Sequence, residues 1–341
     1  MGDRRLWIGG VAFMSLTVGV FWYQFQRIAP GDATPHLDEL HWGWLLAILL
    51  CLPIESLTSG LRIWVIARVL QPGLGFRTCL QAEWANAAVS ALTPSQSGGG
   101  PGQIYLLSRA GARVGTALTI SLISFAGTMA GLTVMGLYSL LVSRASEGGP
   151  LVLAAVWALV AITGAMALGV VCPGAIGIAL TGLSRAVGRL AGRAPDRLTA
   201  RLLDVVSTYR EDMLSFMRRG KAAFAGVCLL SVAFLLARAL LPYLCLRFLG
   251  IETWGVRHVL EAQTALIFLV FFAPTPGGAG LAEGASLAIM AEAVPVGFAP
   301  YYNLLWRFST MYLAAIAGLV CLLRALFEDT RHVISERRAT S

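Results

Sequence analysis

Nine ionisable side chains fall inside or beside stretches apolar enough to sit in a lipid bilayer: Glu55, Arg62, Glu83, Arg109, Arg238, Glu261, Glu283, Glu292 and Arg307. A charge at the bilayer centre costs about 3 kcal/mol or more, so each of these groups needs a partner, a wet cavity or a ligand. Arg109, Arg238 and Arg307 are suited to bidentate contact with a phosphate and equally to pairing with one of the glutamates. Glu55 and Arg62 stand seven apart on one helical face, where they either neutralise each other or serve a site. Glu283 lies three residues past Gly280, where a carboxylate caps a helix start or senses a proton. Arg68, Arg77, Arg247 and Arg257 sit at the ends of apolar stretches, where long basic side chains snorkel to the interface.

Two glycine-rich strings punctuate the same stretches: TPSQSGGGPG at Thr93–Gly102 and TPGGAG at Thr275–Gly280. Each follows an apolar run too short to cross a bilayer and precedes another, so the chain is expected to enter the membrane there, break its helix and turn back. Broken helices at membrane depth are tolerated where the freed backbone lines a cavity or is buried in protein. Helices starting near Gly102 and Gly280 would present unpaired N–H groups and a positive dipole end, and glycine lets an anion come close. Glycine also serves tight turns and close helix packing. The expected site therefore gathers Thr93, Pro94, Gly99, Gly100 and Gly102 with Thr275, Pro276, Gly277, Gly278 and Gly280. Around it should lie a polar cavity holding Glu83, Glu261, Glu283 and at least one of Arg109, Arg238 and Arg307.

The elements that must position these groups follow from composition. The chain is 57% hydrophobic and 13% charged, with a mean hydropathy of +0.73, which excludes an ordinary soluble domain and fits an all-α polytopic membrane protein. Six stretches are long enough to span, at about 6–23, 44–69, 115–142, 151–172, 222–246 and 299–326, while 78–93 and 258–274 are short and end at the glycine strings. The first is read as an uncleaved helix, since no small-residue cleavage site follows it.

Arg4 and Arg5 precede the first span and Asp32, Asp38 and Glu39 follow it, so the positive-inside rule places both termini in the cytoplasm. The 173–221 segment then falls inside and is rich in arginine, among them Arg185, Arg189, Arg193, Arg197 and Arg201. Within it Pro195 and the spacing of Leu198, Leu202, Val205, Tyr209, Met213 and Phe216 predict an amphipathic helix on the inner leaflet. The net charge of +8 is thereby accounted for without nucleic acid. Six cysteines without CxxC spacing and four scattered histidines indicate neither a disulfide framework nor a metal site, and no cofactor is implied.

The chain also repeats itself. RTCLQAEWANAAVSALTP at Arg77–Pro94 aligns with RHVLEAQTALIFLVFFAPTP at Arg257–Pro276, pairing Arg77 with Arg257, Gln81 with Glu261 and Glu83 with Gln263. Unit one, about 44–142, starts outside, and unit two, about 222–326, starts inside. Each holds two spans and a re-entrant hairpin, and the two form an inverted repeat within one integral membrane domain, 1–341, of six spans and two re-entrant hairpins. In secondary transporters such repeats hold the substrate at their interface. Gly127 and Gly131 form a small-xxx-small pair that suits internal packing and a homo-oligomer alike.

The runs TPSQSGGGPGQIYLLSRAG and PTPGGAGLAEGASL, with the hydrophobic layout of essentially the whole chain, resemble the flippase-like family typified by the transmembrane part of lysylphosphatidylglycerol synthases. The resemblance implies a multipass bacterial or archaeal membrane protein that moves lipids or lipid-linked molecules between leaflets; for this chain a bacterial cytoplasmic (inner) membrane and anionic membrane phospholipids are expected. Bifunctional members add a soluble aminoacyl-transferring domain where this sequence ends in RALFEDTRHVISERRATS, so no enzyme activity is expected of it. The competing readings are a proton-coupled carrier of a small soluble anion and a non-transporting subunit of an envelope complex.

Overall fold

The structure, a computed structural model, describes residues 2–29, 33–94, 96, 98–142, 149–171, 182, 196–271 and 273–339. Among them every regular element is helical: α1 Gly2–Gln26, α2 Trp42–Leu70, α3 Phe76–Leu92, α4 Gly99–Arg109, α5 Val114–Val142, α6 Gly149–Val171, α7 Asp196–Arg219, α8 Lys221–Phe248, α9 Val256–Phe271, α10 Leu281–Ile289, α11 Ala299–Arg307 and α12 Leu313–Ala339. A π-helical turn, Phe308–Tyr312, joins α11 to α12 without a break.

Four stretches among the described residues are long and apolar enough to cross a membrane: Trp42–Leu70, Val114–Tyr138, Lys221–Phe248 and Val296–Arg331. The expected spans 6–23 and 151–172 coincide with α1 and α6, which are not among the four. Apolar side chains on the outer faces stay exposed, such as Leu46, Leu49, Leu50 and Ile54 of α2 and Ile316, Leu319 and Leu323 of α12. That pattern suits acyl chains rather than water.

At the centre α2 lies along α8. Each carries an internal proline, Pro53 and Pro242, which removes one helical hydrogen bond. Against α2 pack α3 and α5; against α8 pack α9 and α5; and α3 also lies on α12. One buried cluster gathers Ile63, Ile66, Cys79, Leu107 and Ile120 from α2–α5. A second gathers Leu241, Leu244, Leu266, Met290, Tyr302 and Trp306 from α8–α11. Gly127 and Gly131 face α8 so closely that a Cβ would lie 2.8 Å from Val227 and 2.8 Å from Leu235 respectively. The small-residue pair is used inside the chain.

The amphipathic helix predicted after Pro195 is α7, and the described part of its apolar face packs on protein. Tyr209, Met213 and Phe216 are buried in the cluster of α2 and α5. Arg185, Arg189, Arg193 and Pro195 lie outside the described residues.

Candidate functional site

The site is built from two helix breaks that meet. A proline disfavours helical backbone in the residue before it, and α3 accordingly stops at Thr93, which is extended at φ −121°, ψ 144°. The Thr93 hydroxyl donates to the Val89 carbonyl at 2.9 Å and accepts the Gly98 N–H at 2.9 Å, closing the first tip. In the second tip Gly277, Gly278 and Gly280 have φ of 57°, 70° and 83°, a left-handed region that glycine enters at little cost. Pro94 and Pro276 then pair in an antiparallel bridge, and the Gly277 N–H donates to the Thr93 carbonyl at 3.5 Å. The two Thr-Pro dipeptides, 182 residues apart, thus bind each other.

Similar strings have different backbones. In the first tip the left-handed residue is Gln96, φ 53°, and Gly99, Gly100 and Gly102 are already helical, so α4 starts three residues earlier than expected. There the glycines serve packing: a Cβ on Gly99 would collide with Asn86 and Ser90, and one on Gly102 would come within 2.7 Å of Val89. At the start of α10 the seat expected for an anion is taken by the chain's own carboxylate, because the Gly280 N–H donates to Glu283 Oε2 at 2.7 Å. Of the two roles open to Glu283, capping is the one its geometry displays.

Three arginine–glutamate pairs surround the tips. Arg307 Nε donates to Glu283 Oε1 at 2.7 Å and its Nη2 to the Gly277 carbonyl at 2.8 Å, with both side chains essentially inaccessible. Arg62 approaches Glu83 to 3.6 Å and donates to Thr128 Oγ1 at 2.6 Å, while Ser59 and Gln103 donate to the same carboxylate. Arg238 pairs with Glu55 at 3.2 Å. Of the two readings open to Glu55 and Arg62, mutual neutralisation is the one that this pairing excludes. Seven residues separate them by about 10 Å of helix rise, and both find nearer partners on other helices. Phe234 lies between the two systems, 5.1 Å from the Arg62 guanidinium and 5.9 Å from that of Arg238.

Beside the bridge opens a small cavity of about 60 Å³, with Gln96, Phe234, Arg238, Gln263, Arg307 and Thr310 among its walls. Arg238 is the open cation of this wall, its side chain 30% exposed, whereas Arg307 is 3% exposed. Thr310 belongs to the π-helical turn, and such turns recur at functional sites. Gln96, Phe234, Gln263 and Thr310 were not among the residues expected here. For Gln263 a signal existed, since the repeat aligns it with Glu83, and both are interior.

Three expected groups fall elsewhere. Arg109 ends α4 and binds Asp329 and Glu328 of α12, each at 2.7 Å, on an exposed edge; a cation at a helix C-terminus needs no ligand to hold it. Glu261 pairs with Arg257 at 3.0 Å near the start of α9. It sits two positions before Gln263, and two residues turn a helix by about 200°, away from the cavity. Glu292 is exposed in the turn after α10. Among the described residues no group of His, Cys, Asp and Glu is placed to hold a metal.

Residues 7–318 match the profile of a family described as "Lysylphosphatidylglycerol synthase TM region". No curated protein matches the chain.

Proposed function

The chain belongs to the lysylphosphatidylglycerol synthase TM region family, which makes it a membrane protein, and from that premise we propose that it moves a phospholipid or related lipid-linked amphiphile between the leaflets of a bacterial cytoplasmic membrane. The anionic headgroup enters the cavity and competes with Glu55 for Arg238, while the tails stay in the bilayer through a lateral opening. The observation that carries this reading is the meeting of two proline-bearing tips beside a cavity with an open guanidinium. Phosphate rewards a planar guanidinium with two parallel hydrogen bonds.

In this reading α3/α4 and α9/α10 are re-entrant hairpins of two inverted units among six crossings, and both termini are cytoplasmic. Matched packing supports it: α2 on α3 parallels α8 on α9, and α3 on α12 parallels α9 on α5. The partners are anionic phospholipids, and the protein acts as a carrier rather than a catalyst.

The test is reconstitution of the purified protein alone into liposomes with fluorescent phosphatidylglycerol or phosphatidylcholine, followed by quenching of the outer leaflet with and without a proton gradient. Movement of the anionic lipid, slowed about tenfold or more in Arg238→Gln, supports the proposal. An unchanged leaflet distribution for every native lipid overturns it. Uptake of a soluble anion in those same vesicles would assign a proton-coupled carrier, and no movement of either would leave a non-transporting subunit.

A further inference from the structure

A second groove runs between α3 and α12, away from the cavity just described. Its floor is apolar, with Leu80 and Trp84 from α3 facing Val320 and Cys321 from α12. The helices touch at its deep end, where a Cβ on Gly318 would collide with the Trp84 carbonyl. They run antiparallel there, so the far end of each contributes an arginine, Arg77 from α3 and Arg324 from α12, with Gln81 beside them. Both guanidinium groups lie within electrostatic reach of the Cys321 thiol.

Two substitutions of circumstance leave these cations unneutralised. In the second unit the equivalent of Arg77 is Arg257, which is paired with Glu261 four residues on; in the first unit that position is the neutral Gln81. Arg324 has Glu328 four residues on, but that carboxylate is held by Arg109 at 2.7 Å. Neither Arg77 nor Arg324 forms an ion pair among the described residues, and both are exposed. An apolar trough that ends in two free guanidinium groups, on the membrane-facing side of a spanning helix, is complementary to one chemistry. We infer that this groove holds an anionic diacyl phospholipid, its phosphodiester between Arg77 and Arg324 and one acyl chain along Leu80, Trp84 and Val320. The lipid is retained there rather than moved, so the site stands whether or not the cavity transports.

The experiment uses the full chain purified in an uncharged maltoside detergent, titrated with phosphatidylglycerol or phosphatidylcholine and read by native mass spectrometry. Wild type should retain phosphatidylglycerol, and Arg77→Gln/Arg324→Gln should weaken its binding about tenfold or more, whereas Arg257→Gln, the matched cation of the other unit, should bind as wild type does. Without any substitution, phosphatidylglycerol should also slow maleimide labelling of Cys321, mapped by peptide mass spectrometry, and phosphatidylcholine should not. Equal retention by the double variant, or equal protection of Cys321 by both lipids, overturns the assignment.

Discussion

Glu283 and Arg307 are buried to 0% and 3% exposure and form an ion pair with each other at 2.7 Å. Removing one partner of such a pair strands the other charge and costs about 3–5 kcal/mol. Glu283→Gln should therefore lower the thermal unfolding midpoint in detergent sharply, and a loss of transport in that variant would report the fold rather than the ligand. Arg238→Lys is the cleaner probe: it keeps the charge opposite Glu55 but loses the planar fork, so the midpoint should hold while transport of an anionic lipid falls. Arg109→Ala should change stability by no more than about 1 kcal/mol, as exposed pairs do, and leave transport intact. That interior charges existed was legible from residue type alone. Who pairs with whom was not, because Glu55–Arg238 and Arg62–Glu83 are set by helices separated in the chain.

The helix breaks were legible because proline and glycine act on their own backbone. Thr93 stops α3 for the reason that Pro94 gives, and the second string turns at three left-handed glycines. The aligned motifs nevertheless differ in conformation, since what a glycine does depends on what lies across from it. The difference is measurable. Gly278→Ala places a Cβ 3.1 Å from Val270 on a backbone with φ 70°, and should cost about 1–2 kcal/mol. Gly100→Ala meets nothing within 4 Å and should be neutral or stabilising by up to about 1 kcal/mol. Thermal unfolding of the two variants side by side checks the contrast. The amphipathic period of α7 was equally plain in sequence, but periodicity reports an apolar face and not what covers it.

Across the whole molecule the layout rests on α2 against α8 and on α5 against α8, where Gly127 and Gly131 admit the neighbouring helix. Gly127→Leu should overpack that seam and cost about 1–3 kcal/mol without altering the oligomeric state, which size-exclusion chromatography with light scattering would check. The π-helical turn Phe308–Tyr312 has a reach beyond the cavity it borders. It holds one residue more than an α-turn needs, and so sets the angular phase of everything after it. Deleting one residue there would let the helix close as an ordinary α-helix and rotate α12 by about 100°. Thr310 would leave the cavity, Gly318 would no longer face the Trp84 carbonyl, and Arg324 would swing away from Arg77. The cavity and the groove, on opposite stretches of one continuous helix, are thus set by a single surplus residue, like two hands of a clock on one spindle.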